Sequence, residues 1–117
     1  MVKLDNEVGS ICISSEVFTW LAGDAATRCF GVKGMAGRVK ENGLVQLLRR
    51  ESMTKGVSVQ PNDDGSISIE LHIVVDHGVN LSALCRSIMN EVSYKVSSAT
   101  GVPVERVNVC IDSMTTD

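Results

Sequence analysis

The chain has 117 residues, 44% of them hydrophobic and 21% charged, with a formal net charge of −3. That is the length of one domain, sufficient to bury a core without staples and too apolar for a disordered chain. The acidic balance argues against a dedicated nucleic-acid binder, and no run approaches the roughly 18 apolar residues of a membrane span.

Aromatic residues are only 3%, so the core has to be built from Val, Ile, Leu, Ala and Met. The opening "MVKLDNEVGS" carries charge where an export signal needs an apolar centre, which predicts a cytoplasmic protein. Cys12, Cys29, Cys85 and Cys110 contain no C-x-x-C pair and read as reduced thiols rather than a zinc or redox motif.

Along the chain, "GSICIS" alternates with Ile11 and Ile13 on one side, the pattern of a short strand. Ser14 offers an N-cap oxygen, and Glu16 a favourable first-turn charge, to a helix striped by Val17, Phe18, Leu21, Ala22, Ala25 and Cys29. Trp20 lies off that stripe, and Gly31 suits a left-handed cap. Residues 38–55 are the least patterned, with a short helix suggested over residues 44–51. "KGVSVQ", the turn "PNDDGS" and the alternating "SISIELHIVV" then make a hairpin. Asn80 or Ser82 caps a second helix striped by Leu81, Leu84, Cys85, Ile88, Val92 and Val96, which "TGVP" ends. "VERVNVCI" closes as a strand with Val107, Val109 and Ile111 inward.

The order strand, helix, basic loop, hairpin, helix, strand predicts a single α+β domain over residues 1–117. We expect a two-layer sandwich: a mixed or antiparallel sheet of four to five strands, with two long helices on one face. Ser66, Ser68, Glu70, His72, Arg106 and Asn108 then fall on the opposite face, which is either wet or a contact between copies.

Two features invite a functional reading. Residues 33–55 hold six basic side chains (Lys33, Arg38, Lys40, Arg49, Arg50, Lys55) against Glu41 and Glu51, a local +4 in an acidic chain. Lys33, Arg38, Lys40, Arg49 and Arg50 are therefore candidates for meeting an anionic partner. The second is "CFGVKGMAGRV", with Gly31, Gly34 and Gly37 evenly spaced. Neither a Walker loop nor a dinucleotide G-x-G-x-x-G pattern fits, because Gly34 is followed by Met35 and Ala36 and the glycines are three apart. Gly31-Val32-Lys33-Gly34 does look like the G-x-x-G element of KH domains, which grips single-stranded RNA. That makes a KH-like RNA-binding module, using this loop and the basic segment, the alternative reading. A pocket for a small molecule or lipid headgroup beside the basic loop is a third.

A resemblance covers nearly the whole chain. "GSICISSEVFTWLAGDAATRCFGVKGMAG", "KGVSVQ", "SISIELHIVVDHGVNL" and "TGVPVERVNVCID" are similar, in order and spacing, to the bacterial alkaline shock protein family of envelope stress response proteins. Gly9, Ile11, Ile13, Ser14, Gly31, Val32, Gly34, Met35, Gly56, Val57, Gly78, Thr100, Gly101, Val107, Val109 and Ile111 carry the match. His77 departs from it, since an aromatic residue commonly precedes Gly78.

The resemblance implies a non-enzymatic, self-associating protein linked to envelope homeostasis. It implies a homo-oligomer, and membrane association through a membrane-embedded protein partner or by multimerising. In such a protein Gly31, Gly34, Gly56, Gly78 and Gly101 serve backbone geometry, with Met35 packing inward. No cofactor, metal site or nucleic-acid partner is expected. Asp76, His77 and His72 form the one constellation worth weighing for catalysis, and strand alternation separates them.

Overall fold

A computed structural model describes residues 2–38, 45–47 and 56–115. The elements run β1 (Val2–Asp5), β2 (Ser10–Ile13), α1 (Ser15–Thr27), β3 (Val32–Arg38), β4 (Val45–Leu47), β5 (Val57–Pro61), β6 (Ile67–Asp76), α2 (Leu81–Thr100) and β7 (Val104–Thr115). The class is α+β, and both helices pack on one face of a five-stranded mixed sheet.

Strand β6 organises that sheet. Its alternation buries Ile67, Ile69, Leu71, Ile73 and Val75 against the helices, each contributing about 1.5–3 kcal/mol relative to exposure. One flank of β6 is shared end to end, β5 pairing antiparallel with residues 67–71 and β3 with residues 73–75. The other flank carries β7 along its whole length, in parallel. A parallel neighbour needs a crossover, and the 20-residue α2 supplies it. The β5–β6 turn closes where "PNDDGS" places it, with Asn62 N–H donating to the Ser66 carbonyl at 2.8 Å.

The α2 stripe buries Leu84, Ile88, Val92 and Val96, while Leu81 stays partly exposed. Asn80 caps this helix, its side-chain oxygen accepting from Ala83 N–H at 3.0 Å, and Gly101 ends it with φ +78°. At α1 the expected cap differs. Ser14 occupies the N-cap position, but its side chain makes no cap bond, and its carbonyl accepts from Val17 N–H instead. The buried arc of α1 is also rotated from the expected stripe. It runs through Phe18, Ala22, Gly23, Asp24, Ala25 and Ala26, leaving Val17 45% exposed. Small residues on this arc let α1 and α2 approach closely.

Three strands are additional to the sequence reading. β1 pairs with β2 as a separate antiparallel ribbon, so "GSICIS" does not join the main sheet. β3 and β4 occupy part of the stretch read as a basic loop. The helix expected over residues 44–51 is replaced at residues 45–47 by β4, which pairs antiparallel with β3; the remainder of that expectation lies outside the described residues.

Candidate functional site

The glycine stretch is a corner followed by a strand. Gly31 takes φ +101°, and its carbonyl accepts Asp76 N–H at 2.9 Å, fastening the corner to the end of β6. A Cβ at Gly31 would lie 3.0 Å from Val79 Cγ1. Val32, Lys33 and Gly34 then enter β3, and Met35 is fully buried. Gly56 packs where β3 and β5 meet, and a Cβ there would fall 2.9 Å from the Ala36 carbonyl oxygen. Gly78 has φ +90° in the turn after β6.

Of the basic candidates, Lys33 is the one whose side chain lies among the described residues. Lys33 lies 3.6 Å from Asp76, a half-exposed cross-strand pair that engages both charges. The backbone of Arg38 is in β3, opposite Val45. Lys40, Arg49 and Arg50 lie outside the described residues. A G-x-x-G grip needs a loop that presents its amides, whereas here the second glycine is paired to Val74 within the sheet.

The outer sheet face carries a polar cluster the sequence reading did not assemble. Parallel pairing of β6 with β7 sets His72 directly opposite Cys110, with Glu70 two residues before His72 on the same side. A bulge after Ile111 shifts the register, so that Ile73 pairs with Ile111 but Val74 with Ser113, leaving Asp112 as the extra residue. Asp112 turns its carboxylate onto His72, whose Nδ1 lies 3.0 Å and 3.2 Å from the two oxygens. The other ring nitrogen, Nε2, lies 3.3 Å from Glu70 Oε2.

Partial burial works to lower the His72 pKa, but the hydrogen bonds to Asp112 and Glu70 outweigh it and raise it above the usual imidazole value. Burial, followed by the Glu70 and Asp112 charges, pushes the Cys110 thiol up. Asp76 and His77 do not form a pair with His72, since Asp76 faces Lys33 and His77 sits in the turn. A carboxylate–imidazole pair is present at Asp112–His72, yet among the described residues no serine or threonine hydroxyl contacts the ring.

Two further surfaces stand out. Strand β7 is the longest in the sheet, and among the described residues it pairs with β6 alone. Val104, Val109 and Ile111 pack on the core from this edge but are only partly buried. Beside the β1–β2 ribbon, Ile11, Ile13, Val17, Leu21 and Ala99 line an apolar groove of about 730 Å³, and Trp20 is 50% exposed on α1.

Residues 3–116 match the alkaline shock protein family, which is described as having a cell envelope-related function. The chain belongs to this family. It is similar to the uncharacterized protein YloU of Bacillus subtilis (strain 168), at 32% identity over 114 residues, covering 97% of this chain and 94% of that protein. It is also similar to the uncharacterized protein Spy1614 of Streptococcus pyogenes serotype M6, at 35% identity over 115 residues, covering 97% and 93%. A second protein of that organism, Spy1535, is 25% identical over 107 residues, covering 92% and 80%. No solved structure matches the chain. Membership agrees with the resemblance seen in the sequence, and no described helix is long and apolar enough to cross a membrane.

Proposed function

We propose that this member of the envelope-related family works as a non-catalytic scaffold that self-associates through the edge of β7 that has no strand neighbour among the described residues. The edge is the observation that carries the reading. A strand bonded on one side presents alternate N–H and C=O groups on the other, a template for pairing with another chain. Its half-buried Val109 and Ile111 gain cover when a second copy extends the sheet. In this reading the protein acts in the cytoplasm and reaches the envelope through a membrane-embedded protein partner.

Sedimentation velocity across a concentration series tests the association. In a parallel ladder successive residues direct their N–H groups alternately toward the neighbour and away from it. Asn108→Pro and Val109→Pro therefore divide into one variant that damages the fold and one that removes an outward donor only. Wild type should form a concentration-dependent oligomer, and the outward variant should remain folded and monomeric. A wild-type protein that stays strictly monomeric at high micromolar concentration overturns the proposal.

A further inference from the structure

We propose that Glu70, His72 and Cys110 form a binding site for a single zinc-class divalent cation on the outer face of the sheet, oriented by Asp112. The argument begins with donor chemistry. One carboxylate oxygen, one imidazole nitrogen and one thiol sulfur come from three side chains, and these donor atoms all lie within 4.8 Å of one another. Zinc binds nitrogen and oxygen at about 2.0–2.2 Å and thiolate at about 2.3 Å, so a tetrahedral ion keeps neighbouring donors roughly 3.3–3.8 Å apart. His72 Nε2 and Glu70 Oε2, at 3.3 Å, already have that separation. The remaining closure is toward Cys110 Sγ, whose separations from the other two donors are within 4.8 Å, and side-chain rotation has to supply it.

The backbone holds the other two donors. His72 and Cys110 are register partners in adjacent strands, and neither strand end is near. Backbone pairing on adjacent strands therefore fixes the relative position of the two residues.

Asp112 supplies the outer support that metal-bound imidazoles normally have. A ligating histidine donates its second N–H to a carboxylate, which fixes the tautomer and strengthens the ligand. Here Nδ1–H donates to Asp112 at 3.0 Å, which leaves Nε2 as the nitrogen that faces Glu70 and the cluster. The bulge in β7 is what makes this possible, since it gives an extra residue whose carboxylate reaches the ring. The cluster also has two carboxylates against one imidazole, a local surplus of negative charge that a dication neutralises.

Binding is a ligand exchange that balances simply. Coordinate bonds form from Nε2, Sγ and a Glu70 oxygen to the ion, and the protons on Nε2 and Sγ leave to solvent. Mixed thiolate, imidazole and carboxylate donors suit zinc better than magnesium or calcium, which require oxygen donors. The fourth position is left to water.

Cobalt(II) titration of the reduced full-length protein, without chelator, tests the site. Expected is one cobalt per chain, with a thiolate-to-cobalt charge-transfer band and the intense visible absorption of a tetrahedral ion, both abolished by Zn²⁺. Cys110→Ser should remove the charge-transfer band and weaken binding about 100-fold or more. Asp112→Asn should keep the band and weaken binding about 10–100-fold, the loss expected when an outer carboxylate is removed. Absence of the band in wild type, or a band unchanged in Cys110→Ser, overturns the proposal. Alkylation of wild type needs no variant to fold: Zn²⁺ should slow modification of Cys110 at least tenfold and leave exposed Cys12 unaffected. Equal rates at Cys110 with and without Zn²⁺ overturn it as well.

Discussion

Lys95 Nζ on α2 lies 2.6 Å from Asp24 Oδ2 on α1, and this contact ties the two helices together from within. Asp24 is 2% exposed, and Arg28 Nε donates to the same oxygen from one turn further along α1. Asp24→Ala removes the acceptor while Lys95 and Arg28 keep partial access to water, so the stranded cations recover some hydration. Urea unfolding should show a loss of about 1–3 kcal/mol, below the cost of stranding a fully buried charge.

The same aspartate sets an acid limit. The hydrogen bond from Lys95 holds its carboxyl below the usual aspartate range, against the opposing effect of burial. A folded pKa below the unfolded value of about 3.9 means the contribution is whole above that pH and is lost as pH falls through the folded value. Wild-type stability should therefore drop below about pH 4, and Asp24→Asn should flatten that part of the profile. Unfolding midpoints measured between neutral and acid pH check both curves.

Gly56 is fixed by space rather than by dihedral angle. An added Cβ would lie 2.9 Å from the Ala36 oxygen, 3.0 Å from the His72 oxygen and 3.0 Å from Met35 Cβ. Two of those neighbours are backbone and cannot rotate aside. Gly56→Ala should cost about 1–3 kcal/mol, the usual range for overpacking, and calorimetry will show it as a lowered melting temperature.

The helix starts offer an internal comparison. Asn80→Ala removes a made cap bond and should cost about 1 kcal/mol. Ser14→Ala removes a hydroxyl that makes no cap bond and should be nearly neutral. Equal losses for the two substitutions would contradict the capping geometry.

The most regular elements were readable because their patterns are local. β6 alternates over its whole length, and α2 repeats Leu84, Ile88, Val92 and Val96 at a spacing of four. β3 was not readable, because Gly34 and Gly37 erase the alternation and imitate a turn. Its strand state comes from pairing with β6, which is tertiary information. The His72 cluster was hidden for a related reason. Cys110 and Asp112 are 38 and 40 positions from His72, and only the α2 crossover and its parallel register bring them alongside. Asp24 carried one faint signal, an arginine four residues later on the same helix, but nothing in the sequence pointed to Lys95.

The irregularities in β7 would bound how far the proposed assembly through that edge can run. Register shifts at Glu105 and Asp112 leave residues 106–111 as the uninterrupted segment. If two copies join these segments about a two-fold axis, each occupies the other's vacant side, and neither retains a place for a third along it. In the proposed assembly the stoichiometry of that contact would therefore be two. Growth of the proposed assembly beyond a pair would demand a different patch, and the apolar rim of Ile11, Val17 and Trp20 lies on other elements of the fold.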